Sequence, residues 1–453
     1  MKVSIYPGLN CIFLPNQHTT MSSALHYTLL ILLLAVALSS AAAQAKPKAF
    51  LYFIKKDPEA LQYSTTLEFS TQVNFVDVVL DLGGEHTWFD CDSYDLPTYK
   101  PISCGTTKCN NVKSNGCIGC NLPPKPGCTN NTCGVSSYNP FTNDLYAQGL
   151  GEINLFSTET NGLAVGELHK LPKPFPFSCA DSDLLRGLSN ATKGMTGLAN
   201  TVTSLHSQWS SKFKLPHKFA LCLPSTSELN PGHMFIGGGP YYFPPYTKNI
   251  ATQLLTTKLV INPVSTAPIY TEGDHSDEYF IDVTSISVDN RPVSVNASLL
   301  SIDMNGYGGT KFTTVTPYTK LETSIYKALV GDFKKAASLR KMKRVASVAP
   351  FSACFRASSV ATSQTGPVVP YIDIGLAGNQ HWRFYGANSM VSLKKDVLCL
   401  AFVDGGSKPR TSVVIGGHQM ENYLIEFDLV SSKLVISTSL LFRNTTCQQF
   451  RVL

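Results

Sequence analysis

Hydrophobic and polar residues alternate in short runs along most of the chain, and turn residues separate the runs. An early run, AFLYFIKKD, covers residues 49–57, and a later one, VDVVLDLGG, ends at Gly84. Residues 279–288, YFIDVTSISV, alternate between apolar and polar positions. Short runs of this kind, bounded by Gly, Pro, Asn and Ser, are typical of β-strands. The pattern therefore predicts a protein built from many short strands.

Two segments show the spacing of an amphipathic helix instead. Residues 200–213 place Leu205 and Trp209 on one helical face, and residues 322–337 carry a longer apolar stripe that starts at Ile325. We predict one helix in each segment. Further strands are predicted over 145–156, 164–169, 174–179, 218–223, 233–239, 383–393, 397–403, 412–416, 423–428 and 433–437.

Composition agrees with a large β-protein. The chain has 453 residues, of which only 15% are charged, with 24 Phe, 19 Tyr, 32 Gly and 27 Pro. This composition argues against disorder, a coiled coil and a helical bundle. The formal net charge of +6 is small, and the 37 Lys and Arg are scattered, so nucleic-acid binding has no support.

The first 45 residues have the pattern of a secretory signal peptide. They contain no Asp or Glu, they run almost wholly apolar from Leu25 to Leu38, and Ala43 and Ala45 supply the small side chains of a cleavage site. Met21 is an alternative start. A membrane anchor is the competing interpretation, but the apolar run is shorter than the roughly 20 residues that a span needs. We predict a secreted, extracellular protein that has no membrane segment once residues 1–45 are removed.

Cysteine usage fits an oxidising compartment. Loss of the signal removes Cys11 and leaves twelve of the thirteen cysteines, an even number that predicts up to six disulfides. Cys117 and Cys120 form a C-x-x-C, but no His lies between Cys91 and Cys133, so we favour disulfides over zinc and expect no metal or cofactor. Four sequons predict N-glycosylation, at Asn130, Asn190, Asn296 and Asn444.

Four segments carry a resemblance to a known family: VDVVLDLGGEHTWFDC, GGTKFTTVTPYTKLETSIYKAL, RVASVAPFSACF and VIGGHQMENYLIEFDL. They resemble the plant branch of the pepsin-fold proteins, in particular the group of extracellular dermal glycoprotein, xyloglucan-endoglucanase inhibitor, xylanase inhibitor and basic seven-S globulin. The resemblance extends over residues 49–448. It implies a mainly β, bilobal pepsin-like fold with two β-barrel-like lobes and a few short helices. The N-terminal lobe is expected over 46–244, with a cysteine-rich loop at 91–133, and the C-terminal lobe over 245–453.

Active pepsin-fold peptidases use two Asp-Thr/Ser-Gly loops, whose two carboxylates share one proton. Here the first loop reads DLGG from Asp81, and the second aligns as TTV from Thr313. Leu82 lacks the hydroxyl that ties the two loops together in active members, and Asn139-Pro140 stands near the tip of the flap where they carry Tyr-Gly. The resemblance therefore implies a degenerate, inactive peptidase, with Asp81 capping its own turn; a weakly active aspartic endopeptidase is the alternative.

With catalysis lost, binding becomes the expected role. The resemblance implies that loops of the C-terminal lobe inhibit a microbial cell-wall-degrading glycoside hydrolase, a xyloglucan endoglucanase or a xylanase, in plant defence. Close relatives can carry Arg where this chain has Gln364, and Arg443 is shifted beside the sequon at Asn444. The alternative is an apoplastic peptide-binding or storage-type globulin, and the oligomeric state is not predicted. The inhibitory-loop candidates are Gln364, Arg410, His418 and Arg443. His418 is alternatively a polar residue at a strand-to-helix turn, and Arg410 and Arg443 are alternatively ordinary solvated surface arginines.

The resemblance also implies part of the disulfide framework. Cys354–Cys399 matches the loop-closing disulfide of the C-terminal lobe, and Cys222–Cys447 is expected to tie the C-terminus to the first lobe. Cys91–Cys179 is a third expected pair. The sequence leaves the pairing open among Cys104, Cys109, Cys117, Cys120, Cys128 and Cys133.

Overall fold

The computed structural model describes residues 47–70, 74–227, 230–252 and 254–450, so the predicted signal peptide lies outside the described residues. From Pro47 onward the chain forms one compact unit. Among the described residues, no helix has the length and apolar character to cross a membrane. Nor does this part of the chain contain a group of three or more His, Cys, Asp or Glu side chains arranged to hold a metal ion.

Short strands dominate the described residues, as the alternating pattern predicts. In the first half they are β1 (Ala49–Lys56), β2 (Tyr63–Ser70), β3 (Asn74–Asp81), β4 (Thr87–Asp90), β5 (Lys100–Pro101), β6 (Cys117–Ile118), β7 (Thr132–Asn139), β8 (Asp144–Ile153), β9 (Phe156–Thr160), β10 (Val165–Lys170), β11 (Phe175–Ala180), β12 (Gly194–Gly197), β13 (Lys218–Cys222) and β14 (Gly232–Ile236). In the second half they are β15 (Leu254–Val260), β16 (Phe280–Ile281), β17 (Val283–Val288), β18 (Arg291–Pro292), β19 (Thr310–Phe312), β20 (Thr319–Leu321), β21 (Arg344–Val345), β22 (Cys354–Arg356), β23 (Thr362–Ser363), β24 (Gly366–Pro367), β25 (Ile372–Leu376), β26 (Gln380–Phe384), β27 (Met390–Lys394), β28 (Val397–Leu400), β29 (Phe402–Asp404), β30 (Val413–Ile415), β31 (Leu424–Asp428) and β32 (Lys433–Ser437).

Helices are few and mostly short. The described α-helices are α1 (Thr107–Asn110), α2 (Leu205–Phe213), α3 (Ala297–Leu300), α4 (Thr323–Leu339), α5 (Gly386–Ser389) and α6 (Gly417–Met420). The described 3₁₀ turns are Ser182–Leu185, Ile250–Thr252, Ala357–Ser359, Ala377–Asn379 and Leu440–Arg443.

Strands from both halves of the chain share one antiparallel sheet. Its order is β1-β14-β13-β31-β32-β15, so β13 from the first half pairs directly with β31 from the second. Phe219 of β13 stacks on Phe427 of β31, with ring centres 4.7 Å apart and both side chains fully buried. This sheet and its aromatic core hold the two halves together. The predicted lobe boundary at residues 244 and 245 lies between β14 and β15 and stays a prediction.

The same strand arrangement occurs once in each half. In the first half, β12 runs parallel to β3 and antiparallel to β4. In the second half, β30 runs parallel to β19 and antiparallel to β20. The loop that begins at Asp81 follows β3, and the loop that begins at Thr313 follows β19. The coarse repeat in the sequence thus corresponds to two equivalent strand–loop–strand units.

The two predicted helices are confirmed, with changed ends, as α2 and α4. The predicted strand over 279–288 is divided into β16 and β17, because β16 pairs with β15 and β19 whereas β17 pairs with β25 in another sheet. The prediction of one strand over 383–393 is wrong. Helix α5 interrupts it, and the chain turns there from β26 into β27.

All twelve cysteines of the described residues form disulfides. They include Cys91–Cys179, Cys222–Cys447 and Cys354–Cys399, the three pairs that the resemblance implies. The cysteine-rich loop pairs its remaining six as Cys104–Cys117, Cys109–Cys133 and Cys120–Cys128. These pairs leave no thiolate in this loop for the zinc alternative.

Candidate functional site

The loops after β3 and β19 meet, and Thr314 joins them. Its hydroxyl donates a hydrogen bond to the Leu80 carbonyl at 2.6 Å and accepts one from the Leu82 N–H at 3.1 Å. Leu82 is fully buried and has no hydroxyl with which to make the reciprocal pair. The cross-loop connection is therefore made from the second loop alone.

Asp81 lies buried beside this connection, with 7% of the residue exposed. Its Oδ1 accepts the Gly83 N–H at 2.8 Å, which is the turn-capping contact expected from the sequence. The pKa of Asp81 is raised to about 6, mainly by burial and also by the nearby Glu278 carboxylate, which together outweigh the lowering effects of the Gly83 and Gly84 amides and of Lys311. This carboxyl is therefore largely protonated in mildly acidic solution.

Thr313 repeats the local geometry of Asp81 without its charge. The Thr313 Oγ1 accepts the Val315 N–H at 3.2 Å, as Asp81 accepts that of Gly83. The residue is 6% exposed, and its own N–H donates to the Ile415 carbonyl of β30 at 3.0 Å. A threonine hydroxyl satisfies this loop, but it cannot act as a second carboxylate.

An ion pair occupies the cleft next to the two loops. Lys311 Nζ donates to both carboxylate oxygens of Glu278 at 2.8 Å, and both side chains are less than 20% exposed. A Cβ placed on Gly83 would lie 2.7 Å from Glu278 Oε1 and 3.5 Å from Asp81 Oδ1. Glu278 therefore covers the first loop from the side of the cleft. The sequence reasoning missed this pair, although Lys311 lies in β19 only two residues before Thr313.

The cleft is a cavity of about 550 Å³, and its wall includes the hairpin formed by β7 and β8. Tyr138 lines the cavity near the hairpin tip, and burial together with the Asp81 and Glu278 carboxylates raises its pKa. Asn139 is fully buried and donates to the Leu184 carbonyl at 2.7 Å and to the Arg186 carbonyl at 2.8 Å. The asparagine at the predicted flap thus fastens the hairpin to the body of the protein.

His418 belongs to an internal network. Its Nδ1 lies 3.1 Å from Glu421 Oε2, and its Nε2 lies 2.9 Å from the Met390 carbonyl. Glu421 also accepts from Lys56 Nζ at 2.5 Å and from the Tyr63 hydroxyl at 2.7 Å. Because both ring nitrogens are engaged inside the chain, the structure places His418 as a polar residue of the turn into α6, and it corrects the expectation that this side chain is offered to a partner.

Gln364 and Arg443 lie in one surface cluster. Gln364, exposed at the turn between β23 and β24, donates from Nε2 to Asn444 Oδ1 at 2.5 Å. The Arg443 guanidinium lies 4.4 Å from the centre of the Tyr246 ring and donates to its hydroxyl. This Gln364–Asn444 cluster therefore presents two amides, and its one arginine is folded back onto a tyrosine.

Arg410 lies in a different environment. Its guanidinium carbon is 5.8 Å from the centre of the Tyr270 ring and 5.9 Å from that of Tyr307, and the residue is half-buried. Neither aromatic residue stands out in the sequence, because each lies in a loop without a recognisable motif. The four sequon asparagines, at Asn130, Asn190, Asn296 and Asn444, are all exposed.

Comparison with known proteins covers nearly the whole described chain. The family described as Xylanase inhibitor N-terminal matches residues 63–238, and the family described as Xylanase inhibitor C-terminal matches residues 278–438. The probable aspartic proteinase GIP2 of Nicotiana benthamiana is 44% identical over 434 residues, which cover 95% of this chain and 98% of that protein.

Solved structures agree with these matches. The crystal structure of edgp superposes with a TM-score of 0.87 at 43% identity, covering 90% of this chain and 99% of that one. Basic 7S globulin from soybean superposes with a TM-score of 0.76 at 30% identity, covering 89% of this chain and 98% of that one. The fold is thus the mainly β, bilobal pepsin-like fold, in an aspartic-protease-like protein of an inactive group. The chain belongs to the xylanase inhibitor family, whose N-terminal and C-terminal segments it contains in order.

Proposed function

We propose that this protein is secreted into the plant apoplast and binds and inhibits a microbial cell-wall-degrading glycoside hydrolase, a xyloglucan endoglucanase or a xylanase. The observation that carries the proposal is the paired family match, which covers both halves of the chain. The degenerate cleft supports it, because Thr313 stands opposite Asp81 and the Lys311–Glu278 ion pair occupies the space beside Gly83. Loss of one member of a catalytic pair usually costs several orders of magnitude in rate.

The direct test is a titration of the purified protein against a panel of secreted fungal xyloglucanases, endoglucanases and xylanases. We expect stoichiometric inhibition of at least one enzyme. The Asp81→Asn variant should inhibit equally well, because the proposal gives the cleft no part in binding. Failure of the wild-type protein to bind or inhibit any panel member would overturn the proposal.

Peptidase activity is tested separately with a denatured protein substrate at acidic pH. We expect no cleavage by the wild-type protein, since a lone Asp81 cannot form a proton-sharing pair. Cleavage that disappears in the Asp81→Ala variant would contradict the proposed lack of catalysis.

A storage or peptide-binding role is the second candidate. The similarity to basic 7S globulin favours it, as does the Gln364–Asn444 cluster, which offers neutral amides where the inhibitor resemblance implies arginine. Abundance in seed tissue, together with no complex with any hydrolase, would place this role first.

A further inference from the structure

Nine basic side chains gather around the C-terminal end of α4, and we call them the basic cluster. Six come from one segment, KKAASLRKMKR at residues 334–344, and the other three are Arg356 of β22 together with Lys394 and Lys395, where β27 ends. All are exposed except Lys334, which is half-buried. The sequence does not show this cluster as a unit, because strand pairing brings Arg356 and the two later lysines to the segment.

Three of these cations stand in a line across one sheet. The sheet has the strand order β21-β22-β28-β27, in which Arg356 pairs with Val397 and Val397 with Lys394. On its other side, the Arg356 N–H donates to the Lys343 carbonyl at 2.7 Å. Neighbouring strands lie about 5 Å apart, and residues directly opposite each other share a face of the sheet. Lys343, Arg356 and Lys394 therefore form a row on one face.

Positive charge greatly exceeds negative charge in the cluster. Three acidic side chains form ion pairs with its members: Asp332 with Lys335 at 2.9 Å, Asp289 with Arg340 at 2.7 Å and Asp396 with Arg356 at 3.9 Å. The other six cations form no ion pair with any described residue. Nine cations against three acids give an excess as large as the net charge of +6 of the whole chain, so the rest of the chain is neutral in sum.

The arrangement brings like charges together without relief. Cations directly opposite each other on neighbouring strands repel, as Lys343 and Arg356 do here. Burial and the nearby Arg344 lower the pKa of Lys334, so the helix and β21 also hold their cations close to one another. An anion that carries several charges removes this repulsion when it binds, and the counterions it releases favour the association.

We propose that the basic cluster binds an acidic cell-wall polysaccharide, a linear polyuronate whose carboxylates recur along its length. The inference rests on the proposed secretion and not on inhibition of a hydrolase. A linear polyanion fits cations that stand in a row, and its carboxylates accept charge-assisted hydrogen bonds from Lys and Arg. Residues 334–344 contain no Phe, Tyr or Trp and expose one large apolar side chain, Leu339, so the cluster offers little for stacking nucleic-acid bases or for entering a lipid surface.

The probe is sodium polygalacturonate without ester groups, and calorimetry at about pH 6 and low salt measures binding to the full secreted chain. We expect the wild-type protein to bind this polymer and to lose affinity steeply as salt rises. The fully methyl-esterified polymer, which has no charge, should not bind. Lys343→Glu reverses one charge of the row and should weaken binding about tenfold or more.

Lys258→Glu is the matched control. Lys258 is also exposed and stands directly opposite another cation on the neighbouring strand, Lys433, but it lies in β15, outside the basic cluster. Both variants change the net charge equally, and both replace a pair of like charges across two strands with a pair of opposite charges. Neither should lower the unfolding temperature, and Lys258→Glu should bind the polymer within about twofold of wild type.

The inference is wrong if the wild-type protein does not bind polygalacturonate at low salt, or if Lys343→Glu and Lys258→Glu bind it equally well. It is also wrong if phosphatidylserine vesicles bind the protein more tightly than the polymer does at the same salt and lose that binding in Lys343→Glu, because the partner is then a membrane. Hydrolase inhibition is scored separately with soluble substrates. A protein that inhibits no enzyme but binds polygalacturonate through Lys343 overturns the proposed inhibition alone.

Discussion

Asp81 couples the stability of the protein to pH through a single buried carboxyl. Its pKa is about 6 in the folded chain against an ordinary value of 3.8, so the folded state binds this proton more tightly than the unfolded state does. Stability is therefore lost as pH rises from about 4 to above about 6. We predict that Asp81→Asn, which keeps an acceptor for the Gly83 N–H, is more stable than wild type at neutral pH by about 1–3 kcal/mol. Urea unfolding with disulfides intact measures the difference in free energy of unfolding between the variant and the wild type. We expect that difference at neutral pH and expect it to vanish below pH 3.8, the ordinary pKa of the carboxyl.

A control substitution at Asp404 is expected to change stability in the opposite direction. Hydrogen bonds from Thr323 and the Gly406 N–H lower the pKa of the exposed Asp404, so Asp404→Asn should destabilise the protein at neutral pH and lose that effect in acid. An advantage of Asp81→Asn that does not change with pH would show that the cause is packing, not titration.

Thr314 makes the only cross-loop hydrogen bonds that we find between the described residues of the two loops. Thr314→Val keeps the shape but leaves the Leu80 carbonyl and the Leu82 N–H without their partner, in a buried position. We predict a loss of about 1–3 kcal/mol in the free energy of unfolding. Thr313→Val is the control and should cost less, since its hydroxyl accepts only the adjacent Val315 N–H at 3.2 Å. Equal losses in the two variants would contradict a special role for Thr314.

At the scale of secondary-structure elements, a buried ion network ties β1 to α6. Glu421 is 2% exposed, and burial raises its pKa, but His418 and Lys56 outweigh that effect and hold the pKa below the ordinary value of 4.5. We predict that Glu421→Gln lowers the free energy of unfolding by about 3–5 kcal/mol at neutral pH, because it leaves the charge of Lys56, whose side chain is only 13% exposed, without a counter-charge. The loss should shrink as pH falls below 4.5, where the wild-type carboxylate is itself protonated on unfolding.

Denaturation of Glu421→Gln at neutral and acid pH measures this loss. Asp332→Asn serves as the control, because its partner Lys335 is 80% exposed and surface pairs contribute little. If Glu421→Gln loses no more free energy of unfolding than the control does, the buried network does not stabilise the protein as proposed.

A helix or strand can be predicted from the sequence when neighbouring residues determine it, and not when contacts with distant strands do. The stripe from Ile325 is enough to predict α4, because a helix buries one face at a regular spacing. The division at Asp282 between β16 and β17 cannot be predicted in this way, because it depends on pairing with strands far away in the chain. Helix α5 was missed for a related reason: its four residues are too few to show a period.

At the scale of the whole molecule, Cys222–Cys447 closes the longest loop of the described disulfides, with a sequence separation of 225. It links β13 of the shared sheet to the C-terminal end of the described chain. We predict that replacing both cysteines with Ser lowers the free energy of unfolding by about 5 kcal/mol, on the chain-entropy account in which longer loops constrain the unfolded state more. Replacing Cys120 and Cys128, separated by 8 residues, should cost about half as much.

Calorimetric unfolding of the two double variants compares these costs directly. A larger loss for the Cys120–Cys128 variant would mean that native packing around the short loop, not chain entropy, governs the effect.

The sequence by itself determined the strand-rich architecture, the family and the three disulfides implied by the resemblance. The strand-rich architecture follows from patterns of residues that are close together in the chain, whereas the disulfide pairs come from the family resemblance. Tertiary structure alone decided that Glu278 and Lys311 occupy the cleft, that His418 faces inward, and that Tyr270, Tyr307 and Arg410 meet. Glu278 and Lys311 lie 33 positions apart, and Tyr270 and Arg410 lie 140 apart, so the fold of the chain and not its local pattern brings each pair together. Local patterns record what a residue is and which face of an element it occupies, whereas the chemistry of a site depends on the neighbours that folding places beside it.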